Sequence, residues 1–432
     1  MSNTDNSMGA ESKNDSAWQL LFDKYSILDW VEKQGFYKIS ASQIKEFREP
    51  RLMAKFDHTI NLPKLFKQNN LAILPVTRGD YVISKFNAYH KFETLSDEIV
   101  RVNIPSYIQS LSVDSITSEA VALNCAFISG IMADFLEDDM LVPTVSGRMG
   151  SGIFDFEIAD IHSQGNIKLH VDNSQIEIDA GYEGCKSLAI IEAKRDLSDD
   201  FLVRQLYYPF RTWKERITKP VKPIFLVYSN GIFNLYEYEF SNYLEYSSLR
   251  LVKQKNYTIE EDMNITTEDI ENLLKSVKTV SEPEIPFPQA NSFARIINLC
   301  ELLREHPMTR DEITINYDFD ERQTNYYTDA TRYLGLVEKQ RDDGIRFSLT
   351  LLGKSILRLG YKQRQLAFCE CILSHKVFAD ALHKWFSQGH INRSEIVDIM
   401  KRNTLYHVDS DSTYFRRAST ISRWLDWIVS LI

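Results

Sequence analysis

The chain has 432 residues, with 44% of them hydrophobic and 25% charged. That is too long for one compact core, so two to four domains are expected. The net charge of −10 argues against a protein that coats nucleic acid nonspecifically, although a local cleft sets its own field.

No run of about 18 apolar residues occurs, so no membrane-spanning helix is expected. The five cysteines, Cys125, Cys185, Cys300, Cys369 and Cys371, form no CxxC set with zinc-site spacing. Neither a structural zinc nor a disulfide framework is expected, which fits a reducing, cytoplasmic setting. The acidity sits in the first two thirds. From Gln289 onward there are about 20 Lys plus Arg against about 18 Asp plus Glu.

Residues 1–16 are polar and read as a disordered tail, without the basic start and apolar run of a signal peptide. Trp18 to Glu32 carries apolar residues at helical spacing. The segment ISASQIKEFREPRLMAKFDH follows and clusters Arg48, Arg51, Lys55 and His58 beside a proline. LAILPV and DYVISKF read as strands around an Arg78-Gly79-Asp80 turn. Together, residues 17–110 are expected to form an N-terminal α/β domain.

Ser118 to Leu136 predicts a helix, with Ser118 as its cap and Glu119 in the electropositive first turn. GRMGSG then breaks the pattern. Its glycines suit either a backbone cradle for phosphate, with Arg148 assisting, or a glycine-rich turn. FDFEI, IKLHV and QIEIDAGYEG read as strands, the last two joined at Asp172-Asn173. Leu188 to Ala193 reads as a strand, continuously apolar up to Glu192, followed by a helix from Phe201 to Arg216. KPIFLVYSNG and IFNLYEYEF form two strands around Ser-Asn-Gly. This order predicts a mixed sheet with helices on its faces over residues 111–252.

Residues 253–288 turn polar and proline-punctuated, and read as a linker with one short helix. Beyond it, Phe293–Arg304, Arg310–Ile315 and Glu321–Leu334 are helical. LVEKQRDDGIRFSLT forms a hairpin around Asp343-Gly344. Three helices and a hairpin make a winged helix over 289–360. Helices at Val377–Phe386, Arg393–Lys401 and Thr413–Ile428 suggest a second winged-helix-like unit over 361–432.

Residues two apart on a strand share a face, so Glu192 and Lys194 project together. Asp179 ends the preceding strand. If the two strands pair, two carboxylates meet at one end of the sheet, which is the hard-oxygen set that Mg²⁺ takes. Lys194 beside them would orient or deprotonate a water, or hold a phosphate oxygen.

Asp179, twelve intervening residues, then Glu192-Ala193-Lys194 resembles the PD-(D/E)xK nuclease motif, with Ile178 where a proline is usual. The resemblance implies a restriction-endonuclease-like core, Mg²⁺ and phosphodiester hydrolysis. It further implies metal ligation by Asp179 and Glu192, a supporting acid at Glu119, water positioning by Lys194, and a contribution from Gln205. Some relatives carry a Tyr four positions after such a Gln. Here that position is Pro209, and Tyr208 is one short.

In a winged helix the third helix reads the major groove. Tyr327, Ala330 and Leu334 are spaced to pack inward, leaving Arg322, Gln323, Asn325 and Thr328 as base-reading candidates and Arg346 as a phosphate contact. The last helix repeats this pattern: Ala418, Ile421, Leu425 and Ile428 make an inward stripe, and Arg416, Arg417, Thr420 and Arg423 lie elsewhere, mostly outside, the first three as DNA-contact candidates. Together with FREPRLMAKFD, these segments resemble bacterial type II restriction enzymes. That implies a homodimer cutting double-stranded DNA, with Arg48, Arg51 and Lys55 as further contacts and a cognate methyltransferase in the same system. Two other readings are a non-catalytic DNA-binding regulator, and a nuclease subunit of a larger defence or transposition complex.

Overall fold

In the computed structural model the described residues are 13–96, 98–111, 116–162, 165–317, 319–341 and 344–432. Residues 1–12 of the expected tail, and Asp343 of the expected wing turn, lie outside them. Residues 13–16 are not tail. They open a helix, Lys13–Tyr25, which continues as Ile27–Gln34 after Ser26 adopts the left-handed conformation.

This first unit is built around Trp18. Its ring is fully buried edge-on against Phe22 and Phe66, and its indole N–H donates to the Met53 carbonyl at 3.0 Å. A buried indole is stable only with such a partner. A three-stranded antiparallel sheet completes the unit, with Asp80–Ser84 in the centre, flanked by Ala72–Pro75 and Phe36–Ser40. The Phe36–Ser40 strand was not legible in the sequence, because only Ile39 of its five residues is buried.

The central sheet has seven strands. In spatial order they are Ile99–Arg101, Leu249–Thr258, Ile232–Phe240, Val221–Ser229, Leu188–Lys194, Gln175–Glu183 and Val142–Gly150. The Leu188–Lys194 strand runs parallel to Val221–Ser229 and antiparallel to Gln175–Glu183. Its apolar run reflects cover on both faces. Leu188 and Ile190 pack with Leu206 and Tyr207 of the helix Arg204–Lys214. Ala189, Ile191 and Ala193 pack under the helices Glu119–Ile128 and Ile131–Leu136. Burying each Leu or Ile here contributes about 1.5–3 kcal/mol. Among the described residues, no helix is long and apolar enough to cross a membrane.

Several expectations change in detail. The helix expected over 118–136 breaks at Ser129-Gly130, where Gly130 has φ 81°. GRMGSG is not wholly a turn. Its first four residues end the edge strand Val142–Gly150, and the chain turns at Ser151-Gly152. Ile153–Ala159 and Asn166–Asp172 pair as a separate two-stranded sheet. The strands joined at Asp172-Asn173 are therefore not paired with each other. Residues 253–258 belong to the central sheet and not to a linker.

The Ser-Asn-Gly hairpin forms as expected, with Asn230 at φ 52° and Gly231 at φ 81°. A Cβ on Gly231 would lie 2.9 Å from Glu260 Oε1 and 3.0 Å from Arg364 Nη2, which form a buried ion pair at 3.0 Å. Gly231→Ala is therefore expected to cost at least about 1–2 kcal/mol from backbone conformation alone. A lowered urea midpoint at unchanged slope would report it.

The C-terminal residues share one core, running from Ile265 through Phe287 and Trp424 to Ile428. Helices Phe293–Leu303, Arg310–Asn316 and Glu321–Tyr333 combine with a small antiparallel sheet of Met308–Thr309, Arg346–Leu349 and Val337–Gln340. Five helices follow, beginning with Leu351–Ile356 and ending with Asp411–Val429. Among the described residues no strand follows Leu349, so the expected second winged unit has no wing. Its helices complete the hydrophobic core of the first.

Candidate active site

The Asp179 and Glu192 strands are neighbours. Their antiparallel register pairs Ala180 with Ile191, and one further step sets Asp179 opposite Glu192. The Ala193 N–H donates to Asp179 Oδ2 at 2.8 Å. Thus the first carboxylate is fixed by the backbone between the Glu and the Lys of the motif. Lys194 Nζ lies 2.6 Å from Glu192 Oε1, and Gln205 Nε2 donates to the same oxygen at 2.8 Å. The helix carrying Gln205 packs on the face to which Glu192 and Lys194 point, which explains why it meets them.

These groups line a cavity of about 610 Å³ together with Glu119, so all five residues expected in the site share one space. The far wall comes from the first unit, through Arg51, Lys55, Asp57, Thr77, Arg78 and Tyr81. That wall is anchored to the core. Leu202 N–H donates to the Asp57 carbonyl at 2.8 Å, Tyr208 O–H to the Pro75 carbonyl at 2.9 Å, and His58 lies 2.5 Å from the Asp200 carbonyl and 3.3 Å from Asp196. Arg148 and Arg204 add two cations to the rim. Asp57, Arg78 and Arg204 were missed in the sequence. The first two are more than a hundred residues from the motif and reach it only through tertiary packing.

Charge and burial oppose each other here. Burial pushes the Glu192 carboxyl up to about 7; Lys194 pulls it down, while Asp179 and Asp57 push it up. Burial also raises Glu119. Burial alone would lower Lys194, but Glu192, Glu119, Asp57 and Asp179 hold it well above its ordinary value. These carboxylates favour the ammonium form of Lys194 in the metal-free protein.

Among the described residues, no three His, Cys, Asp or Glu side chains converge as a preformed metal cage. Mg²⁺ does not need one, since it binds through one or two carboxylates and keeps several waters. The residues fit it on two counts. Asp179 and Glu192 supply hard oxygens that line the cavity. Gln205 Oε1 is buried without a hydrogen-bond partner, so a water or ligand proton at this spot would satisfy it.

The expected DNA-contacting residues fall into two groups. Arg51, Lys55 and Arg148 line the cavity, and Arg322, Asn325, Arg346 and Arg416 are exposed. Within this first group Arg148 pairs with Glu177 at 3.1 Å and Lys55 with Asp57 at 3.5 Å, while Arg322 donates to the Tyr326 hydroxyl and Arg346 to the Pro307 carbonyl; the others are held inside the fold. Arg48 donates to Asn14 Oδ1 at 2.7 Å and fastens the first helix. Gln323 completes a capping box with Asp320. Thr328 is buried and donates to the Thr324 carbonyl; Thr420 is buried and donates to Asn291 Oδ1 at 3.0 Å; Arg417 is buried as well. Their helices pack on more faces than a single apolar stripe suggests.

Three family models match the chain. They cover residues 15–83, 84–258 and 295–432, and each is described as a domain of unknown function (DUF6996, DUF6997 and DUF7226 respectively). No curated protein and no solved structure matches it. The first model ends at residue 83, within the strand Asp80–Ser84; beyond it Tyr89–Lys91 pairs with Asp200–Leu202, and Ile99–Arg101 joins the edge of the central sheet.

Proposed function

We propose that the protein is a Mg²⁺-dependent DNA endonuclease with a restriction-endonuclease-like core, acting on double-stranded DNA at a specific sequence. The observation that carries this reading is the Ala193 N–H bond to Asp179. It joins the two halves of the motif at the base of a cavity rimmed by Arg51, Lys55, Arg78, Arg148 and Arg204. The element order supports it too: a helix, antiparallel strands, the motif strand, a helix, then a parallel strand.

Asp179 and Glu192 would hold Mg²⁺, with Glu119 in support. Bound there, the ion would supply Lewis-acid stabilisation for the negative charge growing on the phosphoryl oxygens. The rim cations draw in the phosphodiester backbone. The Lys194 ammonium holds a phosphate oxygen or the attacking water in line, and Gln205 Oε1 accepts from that water. Water oxygen bonds to phosphorus as the P–O ester bond breaks; the attacking water gives up one proton to solvent, and the departing oxygen takes one from solvent. Cutting both strands needs two such sites, so two copies act together on DNA. A companion methyltransferase would protect host DNA.

The test is digestion of a sequenced plasmid with Mg²⁺, followed by mapping of the ends. Discrete fragments that vanish with a chelator are expected; intact plasmid under all divalent ions would sink the reading. In the proposed winged helix over 289–360, Arg322 and Asn325 remain exposed near the start of the third helix. Arg322→Ala and Asn325→Ala are each expected to cost about 1–3 kcal/mol of discrimination between cognate and unrelated DNA. Competition binding at fixed salt would show it, and equal losses on both DNAs would remove these residues from base reading.

A further inference from the structure

The loop that leaves the motif strand is held from outside the central sheet. Asn298 lies on the first helix of the C-terminal unit, Phe293–Leu303, and is buried at 4% exposure. Its side-chain oxygen accepts from Leu197 N–H at 3.1 Å, and its side-chain nitrogen donates to the Arg195 carbonyl at 2.7 Å. One amide thus pairs both backbone groups flanking Asp196, as a neighbouring strand would. The same nitrogen lies 3.1 Å from Ser229 Oγ, at the end of the parallel neighbour strand. Glu301, one turn on, accepts from Ser229 Oγ at 2.8 Å and from Asn230 N–H at 2.9 Å.

Arg195, next to Lys194, reinforces this grip. It is buried, and its guanidinium bonds Glu305 of the C-terminal unit and the Thr117 carbonyl just before the Glu119 helix. The C-terminal unit therefore ties together the strand bearing Glu192 and Lys194, the strand beside it and the helix bearing Glu119.

We propose that Asn298 is a positioning residue for the active site: through Leu197 and Arg195 it fixes the end of the motif strand, and with it Lys194. The C-terminal unit is then part of the apparatus that cuts as well as part of the one that reads DNA. The cleavage arm of this proposal rests on the nuclease reading above. The physical reason is that a strand end has no ladder partner of its own. Without Asn298, two backbone groups beside the reacting centre, one buried and one half-buried, lose their partners, and misplacement by about 1 Å there costs on the order of 10²-fold in rate.

The test uses the full chain with Asn298→Ala, and as control Ser229→Ala, which removes the two hydrogen bonds of Ser229 Oγ, to Asn298 and Glu301, and leaves both bonds from Asn298 to the loop. Hydrogen exchange at the Leu197 amide is expected to speed up at least about tenfold in Asn298→Ala and to stay unchanged in Ser229→Ala. Single-turnover cleavage with Mg²⁺ is expected to fall by about 10²-fold in Asn298→Ala, with DNA affinity changed less than about twofold. Should Asn298→Ala not fold, the isosteric Asn298→Asp replaces it. It keeps the acceptor facing Leu197 and loses the donor facing Arg195, and part of the rate should go. Unaltered exchange at Leu197, or equal rate losses in Asn298→Ala and Ser229→Ala, would overturn the proposal. A wild-type protein that cuts nothing, with Leu197 exchange altered as expected, would overturn the nuclease reading and leave the positioning role standing.

Discussion

Lys194→Ala is expected to slow Mg²⁺-dependent DNA cleavage by about 10²–10⁴-fold while changing DNA affinity only a few-fold. The separation follows from where the charge sits. Lys194 lies at the base of the cavity, in contact with Glu192 at 2.6 Å and under the field of Glu119, Asp57 and Asp179. The cations that would meet the DNA backbone first, Arg51, Lys55, Arg78, Arg148 and Arg204, belong to the rim and stay in place in this variant. Losing the ammonium also removes a cation 2.6 Å from Glu192 Oε1 that would repel the ion, so once Glu192 is ionised Mg²⁺ would bind at least as tightly as in the wild type. Rate and ion affinity should therefore move apart. The measurement is single-turnover cleavage across a Mg²⁺ titration, beside a binding assay with Ca²⁺ in place of Mg²⁺. A variant that cuts at the wild-type rate would remove Lys194 from the chemistry.

The heart of this site was legible because it is local. Strand alternation put Glu192 and Lys194 on one face, and the apolar run before them announced a strand covered on both sides. Only the pairing with the Asp179 strand needed coordinates. The far wall was not legible. Asp57 reaches the cavity because His58 and Thr59 bind the Asp200 region across the interface, and no short-range pattern encodes a contact over 140 residues. The helical units failed for a different reason. A helical wheel assigns one inward stripe, whereas Asp411–Val429 also presents Arg417 and Thr420 to neighbours and buries both. Similarly, the polar stretch around SEPEIPFPQ looked like a linker, yet Phe287 stacks on Phe378 inside the C-terminal core. Proline punctuation marked the absence of regular structure there, and packing supplied what held it.

The pH response follows from Glu192. Its carboxyl is raised by burial to about 7 in the folded protein, against an ordinary value of 4.5. Between those values the folded state binds more protons than the unfolded chain, so metal-free stability falls as pH rises through this window. The full effect is on the order of 3 kcal/mol. Lys194 stays charged throughout, because its own value lies well above 10.5; the proton in question therefore belongs to the glutamate. Mg²⁺ needs the ionised form, so below about pH 7 it must displace that proton. Its apparent affinity should then fall by up to about tenfold per pH unit. The thermal stabilisation given by a fixed Mg²⁺ concentration is accordingly expected to be much larger at pH 8 than at pH 6. Exposed carboxylates are already ionised at both values and would give equal shifts. Glu192→Gln should abolish cleavage and flatten the difference between the two pH values, since the titrating group is gone. Equal Mg²⁺-induced shifts at pH 6 and pH 8 in the wild type would mean that the ion, if it binds, does not do so through Glu192.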